Sequence, residues 1–220
     1  MLLIFDCDGV LVDSELVALE TLSTVMTEYG HPMSVAACRD AFMGQHNDDI
    51  VRGIEQRIGR ELPGEGSRLR ARMLTRLEQE LKPVSGVADA LSRLAGPMCV
   101  ASSSDSARIR LTLQWTALDR FFGDAIFSGM DVARGKPAPD IFLHAASKMG
   151  FPPSDCLVVE DSTMGVRAGV AAGMTVIGFT GGSHTDAHHA ARLREAGAAM
   201  TIADMTELPA LVKNLGSGKA

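Results

Sequence analysis

The chain has 220 residues, 46% of them hydrophobic, enough for one large domain or for a core domain with a smaller insert. Its 21 Lys and Arg against 27 Asp and Glu give a formal charge of −6, and no basic cluster stands out. Nucleic acid and anionic membranes are therefore not expected partners, whereas a local site for a small acidic metabolite stays open. The apolar start Met1–Phe5 stops at Asp6, too soon for a signal peptide or a membrane span, so a cytoplasmic protein is expected, as a monomer or weak dimer. Cys7, Cys38, Cys99 and Cys156 form no Cys-x-x-Cys pair and read as reduced, buried thiols.

Short, mostly continuous apolar runs of strand length occur at Leu2–Phe5, Met98–Ala101, Ala125–Phe127, Leu157–Val159 and Thr175–Gly178. Such runs suit parallel strands covered on both faces. Helix-length segments at Gly86–Leu94, Ala107–Thr116, Ile141–Met149 and Gly165–Ala172 alternate with them. The expected class is α/β, a doubly wound and mostly parallel sheet. From Ser14 to Lys82 the alternation breaks into helical periodicity, with Leu16, Leu19, Leu22 and Met26 on one face and Ile50, Ile54 and Ile58 on another. This interval reads as an inserted helical cap, 14–83, between two parts of a core domain, 1–13 and 84–220. It is entered with Asp13 or Ser14 as N-cap and left through Lys82-Pro83-Val84-Ser85-Gly86, whose Pro and Gly suit a hinge. Arg68, Arg70, Arg72 and Arg76 read as an exposed face of a cap helix.

Ligands of open α/β sheets bind beyond the carboxyl ends of the strands. Here those ends carry Asp6 and Asp8, then Ser102, Ser103 and Ser104, then Glu160, Asp161 and Ser162. Residues i and i+2 of an extended segment point the same way, so both aspartates can face one reaction centre. Carboxylates that converge from separate strands repel one another unless a cation lies among them, and hard oxygen donors select Mg²⁺. Lys136, after the third run, offers fixed positive charge, and the serines after the second offer a hydroxyl and backbone N–H donors.

These residues carry a resemblance. The stretch Asp6-Cys7-Asp8-Gly9-Val10-Leu11-Val12-Asp13-Ser14-Glu15 resembles the first motif of the haloacid dehalogenase-like hydrolase superfamily. Ser102 is similar to its second motif, and Lys136 in Gly135-Lys136-Pro137-Ala138-Pro139-Asp140 to its third. Val159-Glu160-Asp161-Ser162 with Gly165, Gly169 and Gly173 is similar to its fourth. Together they span nearly the whole chain, and the helical insert resembles that of sugar phosphatases, phosphoglycolate phosphatases and β-phosphoglucomutase.

The resemblance implies a Rossmann-like core and a Mg²⁺-dependent phosphatase acting on a small phosphorylated metabolite such as a sugar phosphate. Asp6 is implied as nucleophile, Asp8 as general acid and base, and Lys136 and Ser102 as stabilisers of charge on the transferring group. Asp6, the main-chain carbonyl of Asp8 and Asp161 are implied as metal ligands, with Glu160 a ligand or an outer acceptor. Ser103 is expected to help bind the phosphoryl group, and His46 and Asn47 of the cap to meet the leaving group. Asp8 disfavours a dehalogenase, which lacks that acid. The absence of lysine from Glu15 to Gly30 disfavours a phosphonatase. The rival reading is a hexose-phosphate mutase, whose Gly-x-x-Arg pattern is matched here by Gly44-Gln45-His46-Asn47 with Asn47 in place of the arginine; a noncatalytic binding protein on the same scaffold is the other alternative. Cys7 reads as a packing residue. His184, His188 and His189 read as a solvated loop and helix start rather than as a second metal site.

Overall fold

The computed structural model describes residues 1–42 and 47–217. The chain divides into two compact units, Met1–Asp13 with Lys82–Ala220, and Ser14–Leu81. Lys82 and Pro83 go with the larger unit because the Asp13 N–H donates to the Lys82 carbonyl at 2.9 Å and Val12 bridges Pro83 in an antiparallel pair.

The smaller unit is helical, with α1 (Glu15–Glu28), α2 (Val35–Phe42), α3 (Asn47–Ile58) and α4 (Glu65–Glu80). Leu19, Leu22, Val25 and Met26 of α1 meet Cys38, Phe42, Ile54 and Leu69 in one apolar cluster. Leu16, expected on the same face, is 38% exposed. Ser14 takes the N-cap position of α1 without a side-chain capping bond, and Asp13 instead accepts from Ser183 Oγ at 2.7 Å. Of the arginines of α4, Arg68 and Arg70 are exposed as expected, whereas Arg72 and Arg76 are half-buried in ion pairs. Arg72 forms a bidentate pair with Glu28, and Arg76 bonds Glu20 and Glu80.

The larger unit is a six-stranded sheet of β1 (Leu2–Phe5), β2 (Met98–Ser102), β3 (Ile126–Ser128), β4 (Cys156–Glu160), β5 (Thr175–Phe179) and β6 (Met200–Ile202). Every neighbouring pair is parallel, in the order β3-β2-β1-β4-β5-β6. The helices of this unit are α5 (Val87–Arg93), α6 (Ser106–Trp115), α7 (Asp140–Met149), α8 (Thr163–Ala171), α9 (His189–Glu195) and α10 (Leu208–Ser217). Leu2, Ile4, Cys99, Ala101, Val158 and Val176 of the sheet pack with Ile141, Phe142, Val166 and Leu193 of the helices. Each fully buried aliphatic side chain of this kind contributes roughly 1.5–3 kcal/mol, so the continuous apolar runs hold the sheet. Gly169 lets α8 lie close on it, since a Cβ there would come within 2.6 Å of Val176.

The order reverses at β1, which has β2 on one side and β4 on the other. That is the switch point at which α/β sheets bind ligands. Phe5 is in register with Val100 and Val159, so one residue further on Asp6 stands between Ala101 and Glu160. The register alone thus places the first acid of the sequence in a row with an acid from β4.

Candidate active site

Lys136 lies across that row. Its ammonium donates to Asp6 Oδ1 at 2.7 Å, Glu160 Oε1 at 2.6 Å and the Ala101 carbonyl at 3.3 Å, which uses all three N–H groups. Its side chain is 6% exposed. Burial alone would favour the neutral amine, but the Asp6 and Glu160 carboxylates outweigh it and hold the ammonium above the ordinary lysine range. The segment that delivers Lys136 runs from β3 to α7 and contains a cis Lys136–Pro137 bond.

Asp6, Glu160 and Asp161 are buried, and one ligand atom from each lies within 4.8 Å of the others. Burial raises Asp6 well above the usual carboxylate range, with Lys136 opposing and Glu160 and Asp161 adding to the rise. Burial also raises Asp161, and the neighbouring Glu160 charge adds to it. Three carboxylates against one ammonium leave two negative charges when all are ionised, which matches one divalent cation. The donors are hard oxygens, as Mg²⁺ requires. Glu160 is already engaged at both oxygens, since Oε2 accepts from Ser162 N at 2.7 Å and Ser162 Oγ at 3.0 Å.

Two glycines make room for these acids. Gly9 has φ +79, a conformation that L side chains rarely adopt, and a Cβ there would lie 1.8 Å from Asp161 Oδ2. A Cβ on Gly165 would lie 1.7 Å from Glu160 Oε1.

Asp8 follows the sheet by three residues, within a tight turn closed by the Leu11 and Val12 N–H groups donating to the Cys7 carbonyl. Ser104 Oγ donates to Asp8 Oδ2 at 3.0 Å, and Arg108 donates to Oδ1 at 2.8 Å. Ser102 is buried at the end of β2, with its Oγ accepting from the Ser104 N–H at 3.2 Å. Ser103 is exposed, and it is Ser104 that reaches the acid. Ser128 Oγ donates to the Ser104 carbonyl at 2.7 Å, fixing the serine loop from β3. Cys7 is buried against Thr112, and burial pushes its thiol well up. His46 lies outside the described residues, and Asn47 is the first residue of α3.

The solvated-surface reading of the three histidines is corrected for two of them. His184 and His189 are each 7% exposed; His184 Nε2 lies 3.1 Å from Asp161 Oδ2, and His189 Nε2 is hydrogen-bonded to the Asp161 main-chain oxygen. Ser104, Arg108 and these two histidines are the site residues that the sequence reading did not assign. Arg108 stands in the first turn of α6, which starts just after the serine loop.

Residues 1–173 match the haloacid dehalogenase-like hydrolase family. The chain belongs to the haloacid dehalogenase-like hydrolases. Among this hydrolase's relatives is a 6-phosphogluconate phosphatase of Escherichia coli, 31% identical over 182 residues that span 82% of each chain. A fructose-1-phosphate phosphatase of the same species is 32% identical over 80% of this chain and 94% of its own. A solved structure of a conserved haloacid dehalogenase-like protein of unknown function from Agrobacterium tumefaciens superimposes with a TM-score of 0.88, at 42% identity and 98% coverage of both chains. None of the described helices is long and apolar enough to cross a membrane.

Proposed function

We propose that this hydrolase is a Mg²⁺-dependent phosphatase of small phosphorylated metabolites, sugar phosphates foremost. The observation that carries the reading is the row Lys136–Asp6–Glu160, in which a buried carboxylate at the switch point is held by an ammonium. The two sugar-phosphate phosphatases among the relatives support the substrate class.

In the first half-reaction an Asp6 oxygen attacks phosphorus and the bond from phosphorus to the ester oxygen breaks. The leaving alcohol takes its proton from Asp8, and an aspartyl-phosphate remains. In the second half water attacks the same phosphorus, Asp8 receives a water proton, and the bond from phosphorus to Asp6 breaks to release inorganic phosphate. Ser104 and Arg108 orient the Asp8 side chain, the carboxylic acid in the first step and the carboxylate in the second. Lys136 and the Ser102 hydroxyl stabilise charge on the transferring group, each contributing roughly 10²–10³-fold in rate. Asp6, Asp161 and the Asp8 main-chain carbonyl would hold Mg²⁺, whereas Glu160, bonded at both oxygens, serves as the outer anchor of Lys136 and Ser162. When bound, the ion supplies charge neutralisation for the phosphoryl oxygens.

Asn47, in the position where a mutase carries an arginine, supports water rather than a second sugar hydroxyl as the final acceptor. A neutral amide cannot replace a bidentate cation on a distal phosphate. The test is a parallel assay of phosphate release and of exchange between glucose 1-phosphate and glucose 6-phosphate, with Mg²⁺ and a bisphosphate primer. Release without appreciable exchange is expected, and exchange much faster than release would establish a mutase instead.

A further inference from the structure

Asp161 is gripped from the segment after β5 at two different atoms. His184 Nε2 lies 3.1 Å from Asp161 Oδ2, with 3% of the His184 side chain and 7% of the Asp161 side chain exposed. His189 Nε2 lies 2.7 Å from the main-chain oxygen of the same residue. The other nitrogen of His189, Nδ1, is 3.1 Å from Arg192. A guanidinium only donates, so Nδ1 accepts, the ring proton sits on Nε2, and His189 donates to the Asp161 carbonyl. Arg192 is itself fixed by two bonds of 3.0 Å to Asp186. The two imidazoles meet edge to face with centroids 5.7 Å apart.

The His184 ring has a slot made for it. A Cβ on Gly182 would stand 2.7 Å from its Cε1, and a Cβ on Gly9 would stand 3.1 Å from the same atom. A Cβ on Gly182 would force the ring to shift, whereas one on Gly9 would collide first with Asp161 Oδ2, at 1.8 Å. A histidine kept only to fill the core needs no carboxylate partner, whereas a ring that must hold one carboxylate oxygen in place needs that partner and the room Gly182 leaves beside it.

We propose that His184 is a positioning residue for the divalent cation: its Nε2–H fixes Asp161 Oδ2 and leaves the other oxygen to the ion, while His189 fixes the backbone of the same residue. The proposal rests on the metal reading given under Proposed function. Outer partners of this kind are worth about 10–100-fold in metal affinity. The alternative, a second metal bound by the histidines themselves, is disfavoured because His189 is engaged at both ring nitrogens.

The experiment titrates Mg²⁺ by calorimetry and Mn²⁺ by its paramagnetic resonance signal into wild type, His184→Leu, His184→Gln and Asp161→Asn. His184→Leu keeps bulk but loses the donor, and the dissociation constant is expected to rise roughly tenfold or more. His184→Gln places an amide N–H near the position of Nε2 and is expected to recover most of that loss. In turnover the Mg²⁺ concentration for half-activation should rise while kcat at saturating Mg²⁺ moves less. If His184→Leu lowers the melting temperature of metal-free protein but leaves the dissociation constants within twofold, the histidine is structural and the proposal is overturned. If Asp161→Asn also binds as wild type, the metal reading itself fails, a separate outcome. Should His184→Leu not fold, the His184 ring proton is followed by NMR in wild type during Mg²⁺ addition. A resonance that shifts with occupancy supports the coupling, and one that ignores the ion overturns it.

Discussion

Gly165→Ala sets two effects of opposite sign against each other. Gly165 lies in the first turn of α8, where alanine in place of glycine would stabilise a helix by up to about 1 kcal/mol. The new methyl, however, would stand 1.7 Å from Glu160 Oε1 and 2.0 Å from its Cδ, so the carboxylate must move. It would give up bonds of 2.6 Å to Lys136, 2.7 Å to Ser162 N and 3.0 Å to Ser162 Oγ. Hydrogen bonds to a charged group contribute about 1.5–3 kcal/mol each. Lys136 can follow the displaced carboxylate part of the way, so the net loss is expected near 3 kcal/mol rather than the full sum of three bonds. The larger effect wins and the substitution destabilises. In a Glu160→Ala background the collision is gone, and the same Gly165→Ala change should become neutral or stabilising by roughly 0.5–1 kcal/mol. Urea unfolding with excess chelator measures both, followed by the fluorescence of Trp115, the single tryptophan, which lies on α6 of the larger unit. Equal losses in the two backgrounds would refute the contact between Gly165 and Glu160 as the cause.

Metal-free protein should lose stability as pH rises above the ordinary aspartate value of 3.8, because Asp6 and Asp161 hold their protons longer folded than unfolded. Their contribution is complete below the unfolded pKa and disappears as pH passes the raised folded values. Saturating Mg²⁺ should remove that slope, and thermal melts with and without the ion at several pH values will show it. Lys136→Met leaves Asp6 and Glu160 without their ammonium; a loss of about 3–5 kcal/mol is expected without metal, and urea unfolding at neutral pH that finds less than 1 kcal/mol, roughly a surface change, counts against the row. Burial pushes Cys99 to about 12 and raises Cys7, Cys38 and Cys156, so folded protein at pH 8 should resist iodoacetamide at all four, with full alkylation in urea, as read by peptide mass spectrometry.

Much of the sheet was legible because buried parallel strands read as unbroken apolar runs. Leu2–Phe5 is an example in which all four residues are buried. Met200–Ile202 escaped that pattern: it is an edge strand of three residues with Met200 and Thr201 only partly buried, too short and mixed to stand out. That Asp6, Glu160 and Asp161 gather with the ammonium of Lys136 at one end of the sheet was legible because each follows an apolar strand-length run in the sequence. Ser104 was visible only as one of three serines, and which of the three reaches Asp8 is decided by the turn after β2. His184 and His189 were misread because glycine, serine and threonine around them give the composition of a surface loop. Their burial comes from tertiary contact with Asp161 and Gly9, which no local pattern records.

The central claim, that Asp6 takes the phosphoryl group, is tested most directly by capturing it. In Asp8→Asn with Mg²⁺ and an activated aryl phosphate, the first half-reaction needs little protonation of the leaving group, whereas the second lacks its base. The protein should release one burst of phenol and gain the mass of a single phosphoryl group. After acid quench and borohydride reduction, which converts only an acyl-phosphate, peptide mapping should place the change at Asp6 and find none in Asp6→Asn/Asp8→Asn. Steady turnover without a labelled intermediate, or a label on any other residue, would contradict the account.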